Sequence, residues 1–155
     1  MNKPLISLIN KKIEQLERYN EITSRMIYED IEGVGELIEQ RQDIITSLDG
    51  VSVEIKKFVS EQSIEHQNTL NKILKFEDIT GLTGDLQELQ KKIKESKKLV
   101  DVINKNDKLA YDRLKKMQDD ILVKMENSQK GKKVVNYLSQ TAIDLSKGSR
   151  LNISH

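Results

Sequence analysis

The segment GDLQELQKKIKESKKLVDVINKNDKLAYDRLKKMQDDILVKMEN, residues 84–127, decides the fold. Stepping alternately three and four residues through it gives Leu86, Leu89, Ile93, Ser96, Val100, Ile103, Asp107, Ala110, Leu114, Met117 and Ile121. Nine of these eleven positions are apolar, and only Ser96 and Asp107 interrupt them. A seam repeating every 3.5 residues is the signature of helices packed along their length. The spacing predicts one helix over 84–127, ~65 Å long at a rise of 1.5 Å per residue. Such a rod buries its stripe only against other long helices.

Upstream of it, Thr80-Gly81-Leu82-Thr83-Gly84-Asp85 is a break, with Thr83 suited to cap the new helix and Asp85 placed in its first turn. The first 48 residues supply a partner. A helix over 4–27 begins at Pro4, whose fixed φ and missing N–H suit a first helical position. Its stripe reads Ile6, Ile9, Ile13, Leu16, Asn20, Thr23 and Ile27, widened by Tyr19, Ile22 and Met26. Asp30 then reads as the N-cap or a first-turn residue of a second helix, with acids where the helix dipole favours them. Its stripe reads Ile31, Val34, Ile38, Ile45 and Leu48, with Leu37 and Ile44 alongside, and Asp49-Gly50 is read as its end. A single helix from 4 to 48 with a soft spot near 28–35 is the alternative.

Residues 51–79 are less regular. Val51, Val53, Ile55, Phe58 and Val59 start a helix, Leu70, Ile73, Leu74 and Phe76 resume one, and Ser60 to Thr69 is mostly polar. Val51 to Ile55 alternates like a strand but has no partner strand, so a helical hairpin arm or an extended helix is preferred. Beyond Asn127-Ser128-Gln129-Lys130-Gly131 comes a short amphipathic stretch with Val134, Val135, Leu138, Ala142 and Leu145, ended by Ser146-Lys147-Gly148-Ser149.

Composition supports this layout. Aromatics make up 4% of the 155 residues, with no Trp and one Pro, as suits a narrow aliphatic seam rather than a globular core built on rings. Net charge is +1, which argues against a general nucleic-acid binder. The charge is uneven: residues 1–50 carry ten acids and six bases, whereas 129–155 carry Lys130, Lys132, Lys133, Lys147 and Arg150 against Asp144 alone. The absence of cysteine removes disulfides, thiolate nucleophiles and Cys-ligated metals. Charge interrupts the N-terminal apolar residues too early for a signal-peptide core, and no apolar run reaches the ~20 residues of a membrane span. The chain therefore reads as soluble and cytoplasmic.

Residues that carry chemistry are few. His66 has Glu61, Gln62 and Glu65 nearby but no His or Cys one helical turn away, so it reads as a solvated or packing residue rather than a ligand. Gly33-Val34-Gly35 and Gly81-Leu82-Thr83-Gly84 lack the Lys-Ser/Thr of a phosphate-binding loop and read as helix punctuation. Asp119-Asp120 reads as a solvated face, because nothing suggests a pocket to shift either pKa. Asn152-Ile153-Ser154 matches a glycosylation sequon by letters only, and lysines beside a single Tyr137 are weak as an RNA-binding signal. No enzyme, metal or cofactor reading survives.

The segment from Glu29 to Leu48, EDIEGVGELIEQRQDIITSL, resembles the N-terminal helical hairpin of flagellar type III export chaperones, the FlgN class and the related FliT class. The long helix carrying Asn104, Asn106 and Leu109 is similar to that family's long central helix, and KGKKVVNYL, residues 130–138, resembles its C-terminal helix. Gly33, Gly35 and the long 50–82 region depart from the pattern. The resemblance implies a cytosolic chaperone that holds hook-filament junction proteins, which are hook-associated axial proteins, before secretion, with the export apparatus as a further contact. It further implies a helix-in-groove mode of binding. Val134, Val135, Tyr137, Leu138, Ala142 and Leu145 are then the candidate client surface, unless they fold back onto the bundle as core. The alternatives are a FliT-like chaperone of the filament cap protein and a structural coiled coil that dimerises.

The expected fold is thus all-α: an elongated antiparallel helical hairpin or bundle over 1–128 with a long coiled-coil-like central helix, and a basic, mobile C-terminal amphipathic helix and tail over 129–155.

Overall fold

The computed structural model describes residues 2–124, 136–137 and 139–140. It is all-α, as the periodicity predicts, with no strand among the described residues. Four helices follow in order: α1 (Lys3–Tyr28), α2 (Ile31–Ser60), α3 (Ile64–Leu74) and α4 (Gly84–Lys124). Residues 136–137 and 139–140 are also helical. None of the described helices is long and apolar enough to cross a membrane.

Local signals explain the boundaries. Pro4 lies in the first turn of α1. Glu29 is extended, and the Asp30 side chain accepts from the Gly33 N–H at 3.1 Å, so two residues turn the chain from α1 into α2. This N-cap excludes a single helix from 4 to 48. Ser63 caps α3 in the same way, accepting from the His66 N–H at 3.3 Å.

The second helix does not stop at Asp49-Gly50; it runs on to Ser60. Gly50 is exposed, and a Cβ there would meet nothing within 4 Å. The cost of a helical glycine, roughly 1 kcal/mol against Ala, is outweighed because the apolar stripe passes straight through: Leu48, Val51, Ile55 and Val59 are all buried. The strand-like alternation at Val51–Ile55 lies inside this helix.

α1 is the helix that the other two long ones share. It runs antiparallel to α2 through the tight turn. It runs parallel to α4: the Asn2 N–H donates to Asp85, Asn106 donates to Asn20, and Arg113 donates to the Met26 carbonyl. Because α1 is wedged between two partners, the centre of its buried face differs from the predicted stripe. The innermost residues are Leu5, Ile9, Lys12, Leu16, Tyr19, Thr23 and Met26, again stepping by three and four, while Ile13, Asn20 and Ile27 are half-buried at the edge. The seam of α4 matches its prediction from Leu89 to Leu114, which is buried at each step, including Ser96 and Asp107, while Leu86, Met117 and Ile121 are half-buried.

The interior divides into two clusters. One joins the C-terminal half of α1, the N-terminal half of α2 and the C-terminal half of α4, around Leu16, Tyr19, Leu37, Ile103 and Leu114. The other joins the opposite halves to α3, around Leu5, Ile9, Ile55, Leu70 and Leu89.

Candidate functional site

Each half of the bundle buries one charged layer, and the two layers differ. In the first cluster the seam of α2 steps Val34, Leu37, Arg41, Ile44, Leu48, which puts Arg41 in the core at 3% exposure. It faces the polar interruption of the α4 seam: Arg41 Nη2 lies 3.3 Å from Asp107 Oδ1. Arg41 also donates to the Tyr19 hydroxyl, and its guanidinium lies 4.4 Å from the centroid of the Tyr19 ring. Tyr19 in turn donates to Asp107 Oδ2 at 3.3 Å. Burial raises the Tyr19 phenol well above its ordinary range, which keeps this proton in place as a donor. Arg41 Nε and Nη1 find no hydrogen-bond acceptor among the described residues. One residue from each long helix closes this layer, so it sets the register of the three.

The second layer contains Lys12, 6% exposed, and Ser96, whose hydroxyl is taken up by the Ile93 carbonyl at 2.7 Å. Burial lowers the Lys12 ammonium to about 8. Here the helices do not close. A groove of about 250 Å³ opens between α2 and α4, with Ile9 and Lys12 of α1 at its base and Leu74, Lys75 and Phe76 at its end. Its walls are Ile55 and Val59 of α2, Gln67 and Asn71 of α3, and Ile93 of α4. Lys12, Lys56 and Lys75 line it, and among the described residues no carboxylate does.

The end of the groove is built by a firmly tied connection. After α3 the chain makes a Schellman turn, Phe76 N–H to the Ile73 carbonyl and Glu77 N–H to the Lys72 carbonyl. The left-handed position, normally a glycine, is Phe76 at φ 66°. Its ring has Lys97 5.5 Å from the centroid. The Gln90 side chain bridges both the N–H and the carbonyl of Ile79, and Lys94 pairs with Asp78 at 2.7 Å.

Of the sequence-predicted client surface, Tyr137 lies among the described residues, half exposed, with its hydroxyl directly over Gly35. A Cβ at position 35 would collide with it. Gln118 of α4 donates to the neighbouring Ser139 at 2.6 Å. Val134, Val135, Leu138, Ala142 and Leu145 lie outside the described residues. Gly35 is therefore a notch for a tyrosine as well as a feature of the α2 start. His66 is hydrogen-bonded to Asn2 at 2.9 Å, and no cluster of potential metal ligands occurs among the described residues.

Sequence reasoning missed Arg41 and Lys12. The signal was present: both fall on three-four steps between apolar residues, but each reads as an exposed charge until its neighbours are paired with a second helix. Phe76 was read as part of an apolar helical run, and nothing in the sequence marks it as the left-handed residue.

No family model, curated protein or solved structure matches this chain.

Proposed function

We propose that this chain is a cytosolic chaperone of flagellar type III export, of the FlgN class, which holds hook-filament junction proteins before secretion and acts by binding rather than by catalysis. The observation that carries the reading is the seating of Tyr137 on Gly35. It joins the two segments on which the resemblance rests, the helix start at 29–48 and the lysine-rich stretch at 130–138. A client helix would engage the stripe containing Tyr137, exchanging contacts with the bundle for contacts with the client. Docking to the export apparatus belongs to the same proposal. The test compares the full chain with a truncation lacking residues 129–155, using calorimetry against a purified hook-filament junction protein. Binding by the full chain and its loss on truncation are expected. Equal binding by both overturns the site, and no binding by the full chain to hook-associated proteins overturns the function.

A second reading is a dimerising coiled coil. Val102 and Leu109 of α4, one heptad apart, are 46% and 56% exposed and offer the start of an outer seam. It requires a concentration-dependent melting temperature; a strictly monomeric species by light scattering removes it.

A further inference from the structure

We infer that the groove between α2 and α4, closed at one end by Phe76, is a docking site for an acidic amphipathic helix of a partner protein. This surface is separate from the client stripe proposed above and stands at the opposite half of the bundle from Gly35. Its volume of about 250 Å³ exceeds the ~150 Å³ of an apolar cavity able to take up benzene, so apolar side chains have room to enter between Ile93 and Val59. The charge of the lining selects the occupant. Lys12, Lys56 and Lys75 line the groove, with no carboxylate beside them among the described residues. The shallower concavity across the α1–α2 surface instead sets Glu54 and Glu61 against Lys57, so its lining is acidic and would repel the same partner. A helix with an apolar stripe and flanking carboxylates satisfies both the base and the rim, since complementary charge fixes orientation and excludes wrong partners. The chain's own last residues do not fit this description, because 141–155 hold Lys147 and Arg150 against Asp144. The end of the groove is also tied from within the chain, by the Schellman turn and the Gln90 and Lys94 clasps. Preorganisation of this kind lowers the ordering cost of binding.

The test uses the full chain and a fluorescein-labelled helical peptide of roughly 18 residues, with leucines at helical spacing and glutamates flanking them. A companion peptide has every glutamate replaced by lysine. Fluorescence anisotropy is expected to show saturable binding of the acidic peptide, weakened by added salt, and none of the basic one. The double variant Lys56→Glu/Lys75→Glu, changed only at exposed rim positions, is expected to keep its melting temperature and lose at least about tenfold in affinity. Equal binding of both peptides overturns the inference, as does undiminished binding by the double variant. Binding of dodecanoate with no binding of the acidic peptide would make the groove a lipid site and overturn it as well. A dimer by light scattering that the acidic peptide dissociates would assign the groove to a second copy, with the same consequence.

Discussion

The two halves of this bundle are built from the same three long helices, and each buries a basic side chain at a polar step of the α4 seam. In one half Arg41 meets Asp107 and Tyr19, and the helices close around them. In the other Lys12 sits with Ser96, its ammonium disfavoured by burial, and a groove remains open beside it. A guanidinium matched to a carboxylate and a phenol fixes register through directional bonds. At the level of Lys12 and Ser96 the helices instead stand apart and leave the groove. One seam thus carries both a locked segment and an open one, and the two differ in the polar residue each layer buries.

Removing the carboxylate from the locked half should have the largest effect. Asp107→Ala leaves Arg41 charged in the core and is expected to cost about 3–5 kcal/mol in chemical denaturation. The triple variant Tyr19→Phe/Arg41→Met/Asp107→Leu should recover most of that loss, because it also removes the Tyr19 hydroxyl that Arg41 and Asp107 satisfy and leaves an apolar layer of similar volume. Failure of the triple variant to recover would mean that the layer specifies the fold beyond its charge balance. The same substitution made in each half sharpens the contrast. Ile103→Ala, in the closed cluster, is expected to cost ~4 kcal/mol, and Ile93→Ala, on the groove wall, ~2 kcal/mol, since a site already open loses less packing. Equal costs would argue that the groove is filled in solution.

The smallest effect concerns Lys12 and depends on pH. Its value is about 8 folded against 10.5 unfolded, so between these the unfolded chain binds the extra proton and stability rises with pH. Below pH ~8 the cost of the buried ammonium is fully present. Lys12→Met should therefore stabilise the chain at pH 7 by on the order of 2 kcal/mol. That advantage should shrink steadily as the pH is raised through about 8 towards 10.5. Thermal melts of the two proteins across this range check it; a constant difference would show that Lys12 keeps its ordinary pKa.

Much of this fold was legible in the sequence because helical periodicity survives in a single chain. The α4 seam from Leu86 to Ile121, the Asp30 cap and the start at Pro4 all follow from local rules. The errors came where a second helix decides. Gly50 looked like an end because propensity was weighed without the stripe that continues through Val51 and Ile55. The register of α1 was shifted towards Ile13 and Ile27 because a helix flanked on two sides has a wider apolar face than one seam describes. Arg41 and Lys12 were invisible as core residues, since no local pattern separates a charge facing a partner from one facing water. The groove depends on the approach of α2 to α4 and on a left-handed Phe76, which are properties of the assembled chain. Tyr137 was singled out by resemblance, and its seat on Gly35 had no sequence signal beyond a glycine inside a helix.

The parallel pairing of α1 with α4 also carries a consequence in time. The contacts that bind them, Asn2 to Asp85, Tyr19 to Asp107 and Arg113 to Met26, span 83, 88 and 87 residues. The α1–α2 hairpin can close as soon as both helices leave the ribosome, but the other face of α1 has to wait for α4. At 5–20 residues per second that wait lasts roughly 4–18 s, during which Leu16 and Met26 lack their final cover. The early chain is thus a two-helix intermediate with an unsatisfied apolar stripe and a buried-to-be arginine awaiting its carboxylate. Its passage to the finished bundle is governed by the rate of translation as much as by the strength of the seam.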